Sequence, residues 1–521
     1  MTEAMLPETG VPVPAMEPEA PDSKGQSYRQ ILRATSIVGG GNVLIILVGL
    51  ARTKALAILL GPSGVGLMGL LLGVMTTGAT LFGLGLGTSG VREIASTGGD
   101  LARLSAVRKT LWRSCLAMGV VGLVLLWALR APVSRLVFES TGRSADVAWM
   151  GVGVLFSVIA ASQTALLQGM RRIGDMVRAG LVATTLGSLA GVLIVWLQGT
   201  HGVRWFVLAT PMFSVLAAVW YARRLPRPAH GQLPSQLFWE HWRKMASLGV
   251  VLMLTSLAGN ATDLAVRSMV AHQLGIEAAG HFQAASAISM YYLGLVLGAM
   301  AADYFPRLTQ LVAEPEKLSD AVNDQLEIAL LLTAPILLAV LALAPWILAL
   351  LYTSEFSQAA GLMRWQILGD VLKVASWTVG FVVLAHGQGK AYLVLELTTL
   401  AVFVGCVHLL LPVLGLPGAG IAFALQLVYY LPLVWWISRR RYGFRVKPAG
   451  LAYLAALFAA AASVSALSWH SDLAAGAAGL LLAACAGTFA VRRLASQAGA
   501  FGRTSKIGRL LAFFERLAPR R

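Results

Sequence analysis

The sequence predicts an all-α, polytopic membrane protein of about fourteen transmembrane helices: two six-helix lobes followed by a C-terminal helix pair. Three observations carry this. The 521 residues are 57% hydrophobic and only 12% charged, about half the charged fraction of a soluble domain, and the mean hydropathy is +0.72. The apolar segments approach or exceed the roughly 20 residues that cross a bilayer as a helix, and none shows the alternation of a membrane β-barrel strand. A short motif at the end of the first apolar segment also returns at the end of the seventh, which divides the chain into two similar halves.

Taken in order, residues 1–24 set Glu3, Glu8, Glu17, Glu19 and Asp22 among five prolines. Such a segment cannot bury enough surface to fold and lacks the basic start of a signal peptide, so a disordered tail over 1–30 is expected. The first lobe, 31–224, takes spans at 34–60, 64–88, 112–130, 147–167, 179–199 and 205–222. A linker at 225–244 leads to the second lobe, 245–441, with spans at 245–272, 280–303, 323–350, 361–385, 391–413 and 417–438. Helices 13 and 14, at 449–469 and 474–491, occupy 442–491, and 492–521 is a basic tail. There Ile507, Leu510, Leu511, Phe514 and Leu517 recur at helical spacing among Lys506, Arg509, Arg516, Arg520 and Arg521. That pattern predicts an amphipathic helix lying on the inner leaflet, with a partner-binding helix as the second reading.

The net charge of +17 would suggest nucleic acid in a soluble domain, but here topology explains it. Of the 41 lysines and arginines, all but nine fall in tails and loops on one side of the membrane. Only Arg130, Arg135, Arg143 and Arg204 lie on the other side, while Arg52, Lys54, Arg267, Arg364 and Lys373 lie at membrane depth. Basic residues in short loops stay cytoplasmic, so both termini are expected inside a multi-pass inner-membrane protein, near anionic lipid. No domain is left over to bind nucleic acid. Cys115, Cys406 and Cys485 have none of the spacings of a zinc site or redox pair and are read as packing residues. His272, His386 and His408 show no ligand spacing either.

The repeat joins Leu60, Gly61 and Gly66 to Leu274, Gly275 and Gly280. A weaker echo joins Gln168-Gly169 before Arg171-Arg172 to His386-Gly387 before Lys390. Six spans per half make the repeat parallel, with its axis along the membrane normal, as in transporters whose substrate path lies between two lobes.

Polar residues inside the spans then acquire a destination. In RWQILGDVLKVASW, from Arg364 to Trp377, the residues Gln366, Asp370, Lys373 and Trp377 recur along one helical stripe. A charge at a helix centre costs about 2.5–3.5 kcal/mol on insertion scales, so it normally faces a bundle interior or a wet cavity. Asp263 with Arg267, and Asp370 with Lys373, are spaced to neutralise each other along their own helices. Arg52 and Lys54 have no acid within a turn, and Glu396 has no base. Snorkelling to an interface is the alternative for Arg52 and Lys54. With Arg364 at depth, five cations face the three acids Asp263, Asp370 and Glu396, and the cationic excess suits an anion such as a pyrophosphate.

The stretch AVRSMVAHQLGIEAAGHFQAASAISMYYL (Ala265 to Leu293), continuing to DYFPRL (Asp303 to Leu308), resembles the Wzx-type O-antigen translocases. RWQILGDVLKVASW and GPSGVGL (Gly61 to Leu67) are similar to them as well. These are lipid-linked oligosaccharide flippases of the multidrug/oligosaccharidyl-lipid/polysaccharide (MOP) exporter superfamily. The likeness covers about residues 30–440, while the last two helices and both tails depart from it. It implies a V-shaped pair of six-helix lobes, opening alternately to either side of a bacterial inner membrane, and no enzyme activity. The cargo it implies is an undecaprenyl-diphosphate-linked glycan of O-antigen or lipopolysaccharide assembly, in the company of other polysaccharide-assembly proteins.

On this reading Arg52, Lys54, Arg267, Lys373, Gln366 and Arg364 line the glycan-diphosphate pathway, and Asp263, Asp370 and Glu396 serve coupling or charge pairing. No cofactor is expected beyond a coupling proton or sodium ion. The rivals are an ion-coupled drug antiporter, which would prefer an acidic or aromatic interior, and a polymerase or glycosyltransferase of polysaccharide assembly. The longest expected outer loop, 131–146, gathers none of the catalytic groups an enzyme would need. A scaffold for envelope enzymes is also compatible with the basic tails.

Overall fold

The computed structural model describes residues 22–98, 100–225 and 234–498. The expected tail over 1–21, residues 226–233 of the expected linker and the amphipathic helix expected at 507–517 lie outside them. Among the described residues every regular element is helical. In the first lobe these are α1 (Asp22–Gly83), α2 (Leu86–Ala95), α3 (Leu101–Ala128), α4 (Arg130–Phe138), α5 (Ser144–Gly169), α6 (Ile173–Gln198) and α7 (Val203–Ala222). The second lobe holds α8 (Ser235–Leu274), α9 (Ile276–Gln310), α10 (Pro315–Ala342), α11 (Ala344–Leu351), α12 (Ala360–Ala385), α13 (Gly389–Leu414) and α14 (Leu416–Tyr442). After it come α15 (Pro448–Leu467) and α16 (Asp472–Ala498).

Several boundaries differ from expectation. Helix α1 already begins at Asp22, inside the tail expected through residue 30. Eleven stretches among the described residues are long and apolar enough to cross a membrane, against the fourteen expected. Gly40–Gly83 and Ile173–Ala222 take in two expected spans apiece, and the span expected at 280–303 lies within α9, which is not among the eleven. The expected outer loop 131–146 is mostly helical, through α4 and a 3₁₀ turn at Thr141–Arg143.

The repeated motif has a structural counterpart. Gly61 (φ 62°, ψ −170°) bends α1 between its two spans, and Gly275 (φ 91°, ψ 164°) separates α8 from α9. Both conformations belong to a region that is open essentially to glycine alone. Five residues on, the second glycines meet: a Cβ on Gly280 would lie 1.9 Å from the Pro62 carbonyl oxygen, and one on Gly66 would lie 2.1 Å from that of Ile276. Backbone therefore packs on backbone where the two halves touch, in the close approach that small residues permit inside membranes.

Each lobe has its own core, but α1 and α8 cross between them. Leu70, Leu71, Leu111, Met150 and Leu166 fill the first lobe, and Met245 of α8 packs with them. Ala57 and Val65 of α1 join Ile367, Val371 and Leu411 in the second. The lobe edge expected at 245 is thus not a packing boundary. Helices α15 and α16 are built into the second lobe: Leu457, Ala461, Val464 and Ala475 share its core. Arg493 pairs with Glu327 at 2.8 Å, and Gly479 sits against Ala342.

Candidate functional site

The site is assembled where α1, α8 and α9 converge. On α8, Asp263 and Arg267 are one turn apart, and an Arg267 nitrogen lies 2.7 Å from the Asp263 carboxylate. A second Arg267 nitrogen donates to the Gly69 carbonyl at 3.2 Å, while its Nε has no partner. Arg267 is only 6% exposed, so one of its donors is held ready in a dry setting. From α1, Arg52 reaches Thr210 Oγ1 at 3.5 Å and lies 5.6 Å from the centre of the Phe206 ring. Among the described residues it has no carboxylate partner within 4.0 Å.

Two cavities meet at Arg267. One, of about 410 Å³, is lined by Arg52, Arg267, Gln283, Tyr291 and Tyr352. The other, of about 580 Å³, is lined by Thr76, Thr80, Ser157, Asn260, Asp263 and Arg267. The carbonyl oxygen of Gln283 is buried without a partner, and Asn260 donates to Thr80 at 2.8 Å. The first cavity, with two arginines and no acid in its lining, is cationic, whereas Asp263 balances Arg267 in the second.

The other expected pathway residues are placed elsewhere. Lys54 turns its ammonium to the backbone carbonyls of Ala349, at 3.0 Å, and Tyr352 at the end of α11. Arg364 pairs with Asp472 at the start of α16, at 2.5 Å. Gln366 donates to Ser286 on α9 at 3.0 Å. Asp370 is fully buried and accepts hydrogen bonds from Ser289, at 2.5 Å, and Tyr292. The expected Asp370–Lys373 pair is therefore replaced by an α9–α12 hydrogen-bond cluster. Lys373 instead lies 5.5 Å from the centre of the Phe423 ring and shares a separate cavity with Glu396. Of the cysteines, Cys115 is buried and Cys406 partly so, but Cys485 is exposed and packs little.

The sequence reading missed the polar stripe of α9, although Ser286, Ser289 and Tyr292 carry its signature. It also missed two contacts that fasten α8 to the first lobe. At one end His241 donates to Glu93 at 3.1 Å. At the other His272 lies 3.1 Å from Glu139 and 3.0 Å from the Val137 carbonyl, while Ser268 donates to the carbonyls of Leu136 and Val137. No spacing in the chain announces pairs so distant in sequence.

The sequence pattern of the polysaccharide biosynthesis protein family matches residues 55–361, from within α1 to the first turn of α12. The chain belongs to this family. It is 25% identical to the lipid III flippase of Escherichia coli (strain K12), over 75% of this chain and 95% of that protein. Two solved structures share the fold. An inward-facing multidrug resistance MATE family transporter of the MOP superfamily gives a TM-score of 0.65 at 18% identity, covering 79% of this chain and 95% of its own. The lipid II flippase MurJ, in an inward closed conformation, gives 0.64 at 12% identity, covering 88% and 99%. The chain thus shares its fold with these transporters, and the cavity of Arg52 and Arg267 lies where its two halves meet.

Proposed function

We propose that the chain flips an undecaprenyl-diphosphate-linked oligosaccharide, an O-antigen or related surface-polysaccharide unit, from the cytoplasmic to the periplasmic leaflet by alternating access. The observation that carries this reading is the shared cavity of Arg52 and Arg267, supported by a relative named for flipping a lipid-linked precursor. A diphosphate that leaves water loses its hydration, and arginines in a low-dielectric cavity replace it with charge-assisted hydrogen bonds. The polyprenyl tail remains in lipid meanwhile. Asp263 holds Arg267 while the cavity is empty, so release is an exchange of partners rather than the rupture of a tight complex. A proton or sodium ion acting at Asp263, Asp370 or Glu396 would drive the return.

The test is translocation of a lectin-detectable lipid-linked glycan in vesicles holding equal amounts of each variant. Arg267→Ala is expected to abolish flipping, and Arg267→Lys to restore only part of it, because lysine keeps the charge but loses the planar fork. Wild-type rates from Arg267→Ala and Arg52→Ala would sink the cationic-pathway mechanism.

A further inference from the structure

A second polar cavity lies wholly within the second lobe, among α12, α13 and α14, and encloses about 260 Å³. Its charges balance. Lys373 supplies one ammonium and Glu396 one carboxylate; Glu396 accepts from Tyr430 at 2.9 Å, and Tyr392 stands beside it. An anion would meet Glu396 and a cation would meet Lys373, so neither is favoured here as an anion is beside Arg52 and Arg267. One wall is aromatic: Trp377 and Phe381 meet edge-on at 4.8 Å, and Tyr304 stacks behind Trp377 at 5.9 Å. The side-chain carbonyl oxygen of Gln426, which also lines the cavity, is buried without a donor, an omission that native structures rarely leave unexplained.

An aromatic face beside mixed donors and acceptors, with zero net charge, is the chemistry of a sugar ring. The C–H face of a pyranose packs on the electron-rich ring faces, and its hydroxyls both give and take hydrogen bonds. The volume falls below the roughly 300–1,000 Å³ of pockets for drug-sized ligands, so it suits one ring rather than a chain. We infer that this cavity, lined by Lys373, Trp377, Phe381, Glu396, Gln426 and Tyr430, binds one uncharged pyranose ring of the transported glycan. The inference rests on the proposed function and assigns recognition of the sugar to a place apart from the diphosphate. Gln426 accepts a hydroxyl hydrogen, Lys373 donates to a ring substituent, and Trp377 with Phe381 carries the apolar face.

The experiment uses the full chain in detergent and saturation-transfer NMR with three free probes: methyl glycosides of galactose, N-acetylglucosamine and glucuronic acid. At least one neutral glycoside is expected to show transfer, and the anionic one none. Gln426→Leu keeps the shape but removes the acceptor, and should weaken the neutral glycoside about tenfold, the weight of one hydrogen bond. Glu396→Gln should weaken it similarly, whereas Arg267→Ala should leave it unchanged. That last comparison separates the two readings, because loss of flipping in Arg267→Ala with sugar contact intact tests the diphosphate pathway alone. Absence of transfer from every neutral probe, or equal transfer in Gln426→Leu, would overturn the inference. So would a sodium-dependent signal at Glu396 with no sugar contact.

Discussion

Among the membrane-depth cations, the same charge does two different jobs. Lys54 and Arg52 are two residues apart on α1, yet one closes a helix and the other lines a cavity. The last carbonyls of α11 lack intrahelical partners, and the Lys54 ammonium satisfies two of them while complementing the helix dipole. Lys54→Ala should therefore cost stability, about 1–2 kcal/mol for the carbonyls left without donors, and lower the midpoint of thermal unfolding in detergent. Arg52→Ala should hardly move that midpoint but should reduce flipping, because its guanidinium faces the cavity without an acid. Equal loss of stability in both variants would refute the division. Asp370 is a third case. Two hydroxyls already hold its carboxylate between α9 and α12, so Asp370→Asn is expected to slow turnover more than it weakens substrate binding, read from kcat and KM in the vesicle assay.

Helix α8, like α1, packs in both lobes, and its two ends are not equivalent. Its C-terminal end, expected on the outer side, is tied to α9 through Gly275, and α9 packs through Gly280 on α1. If the outer face opens by parting Gly66 from Gly280, the end of α8 must leave α4 as well. There His272 and Ser268 satisfy the last carbonyls of α4, and Glu139 holds a left-handed conformation at φ 53° that is unfavourable for a residue with a Cβ. The contact to His272 offsets that strain. Glu139→Ala and His272→Ala are each expected to raise the outward-open population, measured by distances between spin labels on the outer ends of α1 and α9. The double variant should add little, since both changes break one contact; additive shifts would disprove the clasp. The inner pair, His241 with Glu93, joins α8 to the lobe from which the chain has just come. It can persist through opening, so Glu93→Ala should change the populations less.

Across the whole molecule the charge distribution predicts the orientation, and the extra helices brace the second lobe. Reversing the chain would carry nearly all the loop lysines and arginines to the outer side, against the positive-inside bias. A periplasm-active reporter fused after Arg521 is expected to be silent, and one inserted near His470 active; the reverse pattern would overturn the orientation. The relatives' coverage stops short of the full chain, yet α16 is fastened at both ends, by Arg364 with Asp472 and by Arg493 with Glu327, and α15 packs into the second lobe's core through Leu457 and Ala461. These two helices thus stiffen the second lobe along α10 and α12, and the cavity between the lobes is left open.

Hydropathy, helical period and loop charge are local properties, so the sequence alone determined the helical membrane class, the expected orientation and the two-fold repeat. It also singled out Arg52 and Lys54, because a cation with no acid within a turn is costly at membrane depth wherever the helix packs. A helical period tells which face a residue occupies but not what lies opposite. Tertiary packing alone decided that Arg364 meets Asp472, that Asp370 meets Ser289 and Tyr292, and that Lys373 shares a cavity with Glu396. Each of those partnerships except the last joins residues roughly a helix hairpin or more apart, and even Lys373 and Glu396 sit on different helices. In a low dielectric, a polar group takes whichever partner the packing brings within hydrogen-bond reach, and that neighbour is set by how the helices cross.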